Sequence, residues 1–308
     1  MLSRRNIREK VMQTLYSVET MEVKATEATK ILNKKIENTQ ELLTYFFEFL
    51  IAVCRYSEKY ASMKAHKHLP TQKDLSVSTR IAENRIITEV LQNPTFLKAS
   101  EKFKIPYLID EESVRKSFME LLNTEAYQSY ISATARDRAG EKKILEHILE
   151  NQMLESESFN SDGEEKFIHW NADLEAVIPL IKGVLSKPST ADFLEKPDTD
   201  KMSFATELLA TVLEKNEFLL EMIKPKLKNW EADRIAVLDM ILLKMGLSEL
   251  MYFETIPTKV TLNEYIEIAK EYSTSKSGHF VNGILDNLLK DLEAQNKIHK
   301  KNFKGAIN

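Results

Sequence analysis

Turn-forming residues are scarce in this chain, which holds seven glycines and eight prolines among 308 residues. Glycine and proline supply most of the tight turns that connect strands, so a chain poor in both has little means of building a large sheet. Leucine, glutamate, lysine, alanine and methionine are abundant instead, and these residues favour helices. The composition therefore predicts an all-α protein.

Charge and cysteine content further limit the kinds of protein that this chain can be. The formal net charge is −4, so any nucleic acid must bind at a local basic patch rather than through an overall positive field. The single cysteine, Cys54, precludes an internal disulfide and is typical of a reducing compartment. The longest apolar run, residues 45–54, contains Glu48 and is too short to cross a bilayer. We expect a cytoplasmic protein without membrane contact.

Apolar spacings of three and four predict a first helix over residues 3–20, with Ser3 as its N-cap. Arg4, Arg5 and Arg8 lie mainly off the apolar stripe of this helix. A solvated basic face and a binding face explain them about equally well at this point. Three of the chain's ten arginines thus lie within its first eight residues, although the chain is acidic overall.

The C-terminal third has the clearest helical pattern. Residues 203–225 predict one long amphipathic helix. Residues 230–253, with Asn229 as the predicted N-cap, are apolar around most of the helix circumference, which is typical of a central, buried helix. A final helix is predicted over residues 279–294.

The middle of the chain, residues 25–200, contains further amphipathic runs and an acidic stretch near its end. Residues 156–166 have no apolar period and are predicted to be an exposed loop, and residues 186–201 a second loop or short linker. Residues 41–54 are too apolar to remain solvated, so this part of the chain should form a packed helical lobe.

No combination of residues suited to catalysis is apparent. The chain has no glycine-rich phosphate loop, no HExxH and no CxxC. His66 and His68, two positions apart, would point to different sides of a helix and make a poor metal site. Cys54 lies in an apolar run, where a core position explains it better than a nucleophile. We therefore expect no enzyme, no metal site and no cofactor.

Four blocks of residues, in chain order, resemble the NusB family of transcription antitermination factors. The first is the N-terminal helix with its arginines. The others are a buried helix, a helix that opens with Asn-Glu, and a run of Phe-Val-Asn-Gly. The matching residues are Arg4, Arg5, Arg8, Glu9, Leu15, Tyr16, Glu249, Leu250, Pro257, Lys259, Val260, Asn263, Glu264, Ala269, Lys270 and residues 280–286.

The resemblance implies two packed helical bundles interrupted by a large insertion. It divides the chain into residues 1–24 as the first helix of the core, 25–200 as the insertion with its acidic linker, 201–297 as the rest of the core, and 298–308 as a basic tail. Lys244 stands where the family often has arginine, and the segment before Phe280 differs from the usual one.

The Phe-Val-Asn-Gly run is expected to identify the fold rather than to carry chemistry. Gly283 would let another helix approach closely, and Gly278 would permit the turn before the helix. Asn282 would be a buried polar group bonded to backbone, and Phe280 a core anchor. Together with Asn263 and Glu264, these residues are interpreted as a structural motif.

Family resemblance also implies a function. NusB-like proteins pair with a small-subunit ribosomal protein that doubles as NusE, bind the boxA element of nascent RNA, and act on the elongating RNA polymerase complex. The predicted RNA contacts are Arg4, Arg5, Arg8, Lys276 and His279, with the loop of the last two beside the first helix. Tyr16 would stack on a base or, as the better explanation, pack in the core.

Two alternatives remain. A helical protein-interaction module that has lost RNA binding would show the same pattern. An RNA cytosine methyltransferase with a NusB-like domain would need a glycine loop and alternating strands, and the sequence has neither.

Overall fold

The computed structural model describes residues 2–21, 24–227, 235–274 and 276–301. Within these ranges the regular structure is helical and no strand occurs, which confirms the predicted all-α class. No helix in the described ranges is both long and apolar enough to cross a membrane. The helices are α1 (Arg4–Thr20), α2 (Ala28–Ala65), α3 (Gln72–Leu75), α4 (Arg85–Leu91), α5 (Pro94–Phe103), α6 (Glu111–Leu121), α7 (Glu125–Ser132), α8 (Arg138–His147), α9 (Glu157–Lys166), α10 (Trp170–Ser186), α11 (Thr199–Glu214), α12 (Asn216–Ile223), α13 (Val237–Tyr252), α14 (Thr258–Tyr272) and α15 (Ser277–Ala294).

Contacts between Cα atoms divide the chain into two compact units. The inserted unit comprises residues 37–196, and the terminal unit comprises the described residues of 2–36 and 197–301. Helix α2 contributes residues to both. The predicted limits at 24 and 200 fall 12 and 4 residues from these boundaries, and the predicted domain division remains a prediction.

Aromatic side chains fill the core of the inserted unit. The rings of Phe46 and Trp170 stack at 5.6 Å with an angle of 9° between their planes, and Phe49 and Phe159 meet edge to face at 4.6 Å. Cys54 is fully buried in the same core, and this burial raises the pKa of its thiol. The helices of the inserted unit therefore share one aromatic core.

The prediction of an exposed loop at residues 156–166 is wrong, because this segment forms α9. The hydroxyl of Ser156 caps the helix by accepting from the backbone N–H of Phe159 at 3.3 Å. Phe159 is buried, and the backbone at Gly163 lies so close to Trp170 that a Cβ there would come within 2.5 Å of the indole. One aromatic anchor and one glycine contact thus hold a helix that has no apolar period. The second predicted loop, between α10 and α11, is confirmed.

Helix α13 lies at the centre of the terminal unit, as its sequence predicts. It contacts α1, α11, α12, α14 and α15. Every residue from Ile241 to Leu250 is buried. Its predicted cap, Asn229, lies outside the described residues.

The long helix predicted over residues 203–225 is bent into α11 and α12 at Lys215. Backbone hydrogen bonds continue across the bend, from the Lys215 N–H to the Thr211 carbonyl at 3.1 Å and from the Leu219 N–H to the Lys215 carbonyl at 2.9 Å. The bend is therefore a kink in one helical path rather than a loop.

The described part of the basic tail returns to the end of α13. The Lys300 ammonium donates to the carbonyls of Glu249 and Phe253, each at 2.8 Å. These carbonyls also accept from the backbone N–H groups of Phe253 and Ile256, so the lysine adds a further donor, and a positive charge, at the C-terminus of this helix. Burial lowers its pKa, against the raising effect of Glu249 and Glu254.

Candidate nucleic-acid interface

Helix α1 begins with the predicted cap and is then buried on all sides. The Ser3 hydroxyl accepts from the Asn6 N–H at 3.1 Å, and the Asn6 side chain accepts from the Ser3 N–H at 3.0 Å. All residues from Ile7 to Leu15 are buried, including the charged ones. Only the first and last turns of α1 remain open to solvent, so a continuous solvated basic face is absent.

Arg8 lies inside the terminal unit rather than on its surface. Its Nε and Nη2 atoms each donate to Glu249 at 2.9 Å, and the two side chains are 3% and 0% exposed. Thr261 and Tyr265 donate their hydroxyls to the same carboxylate at 2.7 and 3.1 Å. Burial alone would lower the pKa of Arg8, but the hydrogen bond and charge of Glu249 raise it.

This geometry corrects the prediction that Arg8 contacts RNA phosphate. The Nε and Nη2 atoms of Arg8 are taken by Glu249 and the Nη1 atom lies 3.6 Å from Glu264, so a phosphate would have to compete with both carboxylates. The cluster of Arg8, Glu249, Thr261 and Tyr265, which we call the buried ionic cluster, joins α1, α13 and α14. Its role is structural.

Arg4 and Arg5 remain accessible, with 36% of each side chain exposed. Arg4 pairs with the exposed Asp200 at 2.6 Å, and its guanidinium lies 5.2 Å from the centre of the Phe204 ring. Arg5 pairs with Glu264 through Nε at 3.2 Å. Both arginines therefore have acidic partners that a ligand must replace.

A cavity of about 370 Å³ opens beside these two arginines. Its other walls come from the connection between α13 and α14 and from Val260, which is 42% exposed. Arg8 also borders it, although that side chain is almost fully covered. Cations, an apolar surface and open space thus occur together at the N-terminal end of α1.

The structure does not bring Lys276 and His279 to this cavity. Both are exposed at the start of α15. The Ser277 hydroxyl donates to Asp239 at 2.8 Å, so the start of α15 lies near the beginning of α13. Arg8 instead binds Glu249, which lies near the end of α13. Ten residues of helix rise about 15 Å, so the two basic patches are separate.

Gly283 does not mark a close helix contact. Gly283 and its neighbour Asn282 are exposed, and a Cβ at Gly283 would meet no atom within 4 Å. The predictions of a close approach and of a buried Asn282 are therefore wrong. The close approach occurs at Gly246, where a Cβ would come 2.8 Å from Leu285.

The other motif residues have varied positions. Phe280 is buried, and Asn263 is exposed on α14. Glu264 is 24% exposed and receives Arg5. Gly278 lies inside the first turn of α15, where a Cβ would come 2.7 Å from the Lys270 side chain, so contact with α14 explains it better than a turn.

Tyr16 differs from the prediction of core packing, because 45% of the residue is exposed. Asp200 and Phe204, which hold Arg4, were not identified from the sequence. An acid at the start of one helix gives no sign that it pairs with an arginine 196 positions away.

A model of the NusB family matches residues 180–290. The chain is 45% identical over 103 residues to the transcription antitermination protein NusB of Salinibacter ruber, an alignment that covers 33% of this chain and 64% of that protein. It is 44% identical over 100 residues to the protein of the same name from Methylacidiphilum infernorum, covering 32% and 69%. The chain belongs to the NusB family.

The NusB match covers α11 to α14 and most of α15, and most of the inserted unit lies outside it. A solved structure of T. maritima NusB aligns with this chain at 32% sequence identity and a TM-score of 0.30. The alignment covers 36% of this chain and 75% of the T. maritima chain. The chain spans less than two thirds of the length of the Salinibacter NusB.

Proposed function

We propose that this chain is a transcription antitermination factor. It binds boxA RNA together with a small-subunit ribosomal protein that doubles as NusE and acts on the elongating RNA polymerase complex. The observation that carries this proposal is the 44% identity to a NusB of which the chain covers 69%. The charged end of α1 supports it, since single-stranded RNA needs cations against its phosphates.

Arg4 and Arg5 are the proposed phosphate contacts. A guanidinium keeps its charge at any physiological pH and can bind two oxygens of one phosphate. Ion pairs at a protein surface contribute about 0–1 kcal/mol, so a phosphate can replace Asp200 on Arg4 at little cost. Glu264 is more deeply buried than Asp200, so a phosphate should replace it on Arg5 less easily.

Lys276 and His279 form a second proposed contact, about 15 Å away along α13. One RNA strand several nucleotides long would meet both patches. The exposed ring of Tyr16 offers a surface on which a base can stack, a contact of about 1–3 kcal/mol.

Binding to boxA RNA with and without the ribosomal protein tests this proposal. Fluorescence anisotropy would compare a labelled boxA strand with a scrambled strand of equal composition. When the ribosomal protein is present, we expect the boxA strand to bind at least about tenfold more tightly than the scrambled strand. Equal affinity for the two strands under that condition would contradict the proposal.

A second candidate is a helical protein-interaction module without RNA binding. The net charge of −4 and the acidic partners of Arg4 and Arg5 favour it. In that case the ribosomal protein would still bind, but neither the boxA strand nor the scrambled strand would bind to the complex.

A further inference from the structure

A cavity of about 490 Å³ opens in the inserted unit, at α7, α8 and the segment that connects them. Its volume lies within the range of small-molecule sites in proteins. The apolar part of its wall includes Ala126, Tyr130 and Ile144. None of the residues that line it belongs to the segment that matches the NusB family.

Two arginines fix the segment between α7 and α8 that forms one wall. Arg80 donates to the carbonyls of Ala133 and Ala135, the latter at 2.7 Å. Arg136 donates to Glu141 at 2.9 Å and to the Glu83 carbonyl at 2.5 Å. The wall is therefore held in place without a ligand, which reduces the entropy lost on binding.

The buried carboxylate at this cavity already has its partners. Glu141 is 1% exposed and accepts from Arg136, from the Tyr130 hydroxyl at 3.2 Å and from the Arg85 backbone N–H at 2.9 Å. Asp137 accepts from the Gly140 N–H at the start of α8. Glu125, exposed at the cavity's edge, is the remaining acid.

Hydrogen-bond donors, by contrast, remain without partners. Within the described residues Arg80 and Lys143 form no ion pair, and the buried Nε of Arg80 has no acceptor. The Asn151 amide nitrogen lies 3.1 Å from Nδ1 of His147, and the other ring nitrogen is Nε2. That atom is also buried and unpartnered in the described chain.

Unmatched cations and donors beside an apolar wall define the chemistry of a fitting ligand. It must supply oxygen acceptors with negative charge at one end and an apolar body at the other. We propose that this cavity binds a small amphipathic anion, with a carboxylate or phosphate-monoester head at Arg80 and Lys143 and a short apolar chain against Ala126 and Ile144.

Ligand-observed NMR titration of the full chain tests the proposal with hexanoate, hexyl phosphate and hexanol, which share one apolar chain. We expect at least one anion to bind about fivefold more tightly than hexanol. The tighter of the two anions identifies the head group. Equal affinities for all three probes, or no binding by any, would overturn the proposal.

Three variants locate the binding. Lys143→Met should weaken anion binding about threefold and leave hexanol unchanged, because it removes one exposed charge. Ser129→Trp, at an exposed position on the same wall, should block all three probes by filling the space. Lys116→Met, at an exposed site on α6 away from the cavity, is the matched control and should change nothing. Anion affinities unchanged by both Lys143→Met and Ser129→Trp would refute the site.

Discussion

The two units stabilise their interiors with different chemistry. In the inserted unit, rings such as Phe46, Phe159 and Trp170 pack on one another. In the terminal unit, an arginine and a glutamate lie buried together, and two hydroxyls donate to the glutamate. Aromatic packing is favourable over a range of geometries, whereas a buried ion pair offsets its desolvation only when its geometry is good.

This difference bears on what each unit tolerates. Loss of a ring leaves a cavity, and neighbouring side chains can partly fill it. Loss of one charge leaves the other buried and unpaired, which no small shift repairs. The ring cluster of the inserted unit should therefore respond most to changes of volume, and the buried ionic cluster of the terminal unit most to changes of charge.

Removal of the inserted unit is the largest test of the comparison. Gln40 donates to the carbonyls of Leu194 and Glu195 at 3.2 and 3.0 Å, so the chain enters and leaves this unit side by side. A short Gly-Ser linker in place of residues 37–196 should give a helical product that melts cooperatively, as followed by circular dichroism. An aggregated or non-cooperative product would show that the terminal unit cannot maintain its core alone.

Arg8→Met should destabilise the protein by about 3–5 kcal/mol, because Glu249 is left as an uncompensated buried charge. Urea denaturation measures this loss. The double variant Arg8→Met/Glu249→Leu should recover most of it, and Arg4→Met, at a half-exposed position, should cost less than about 1 kcal/mol. If Arg8→Met were as stable as the wild type, the Arg8–Glu249 pair would contribute nothing to stability.

Glu9 should make the terminal unit less stable at high pH. Burial raises its pKa from 4.5 to about 7, against the lowering effect of the Asn6 hydrogen bond. The folded state then binds a proton that the unfolded state has released between these values. Stability therefore rises as pH falls from about 7 towards 4.5 and is lowest above pH 7.

The variant Glu9→Gln removes this dependence and should stabilise the protein at pH 8 by up to about 3 kcal/mol. Thermal melts from pH 5 to pH 8 measure the difference. Glu89 in the inserted unit is the control, because Arg138 lowers its pKa and Glu89→Gln should not flatten the profile. Parallel profiles for wild type and Glu9→Gln would rule out the shift.

Gly163 and Gly246 compare the rigidity of the two interiors, and the exposed Gly283 serves as a reference. A Cβ at Gly163 would come within 2.5 Å of the Trp170 indole, which cannot bend, so Gly163→Ala should cost about 1–3 kcal/mol. A Cβ at Gly246 meets the tip of Leu285 at 2.8 Å, which can rotate, so Gly246→Ala should cost less. Gly283→Ala should stabilise by up to about 1 kcal/mol, since the site is open and helical. Melting temperatures in any other order would contradict this ranking.

Much of the fold could be predicted from local pattern. The apolar circumference of α13 indicated its central position, and Ser3 indicated where α1 begins. The helix α9 could not be predicted, because its stability depends on contacts of Phe159 and Gly163 with Trp170 rather than on any period of its own.

The candidate site was less predictable for a related reason. Arg8 was expected on the surface with Arg4 and Arg5, but its partner Glu249 lies 241 positions away. The sequence did offer one signal, because Glu249 lies near the end of an apolar helix. A carboxylate buried there needs a cation as its partner. The resemblance directed attention to Gly283, whereas the close contact is at Gly246.

The salt dependence of RNA binding tests the central claim, that the exposed arginines of α1 bind phosphate and the buried one does not. For boxA RNA with the ribosomal protein, Arg4→Gln/Arg5→Gln should reduce the slope of log affinity against log salt by about 0.7 for each lost contact. Arg115→Gln/Lys116→Gln, two adjacent exposed cations of the inserted unit, is the matched control and should leave the slope unchanged. A slope and affinity unaltered by Arg4→Gln/Arg5→Gln would contradict the account.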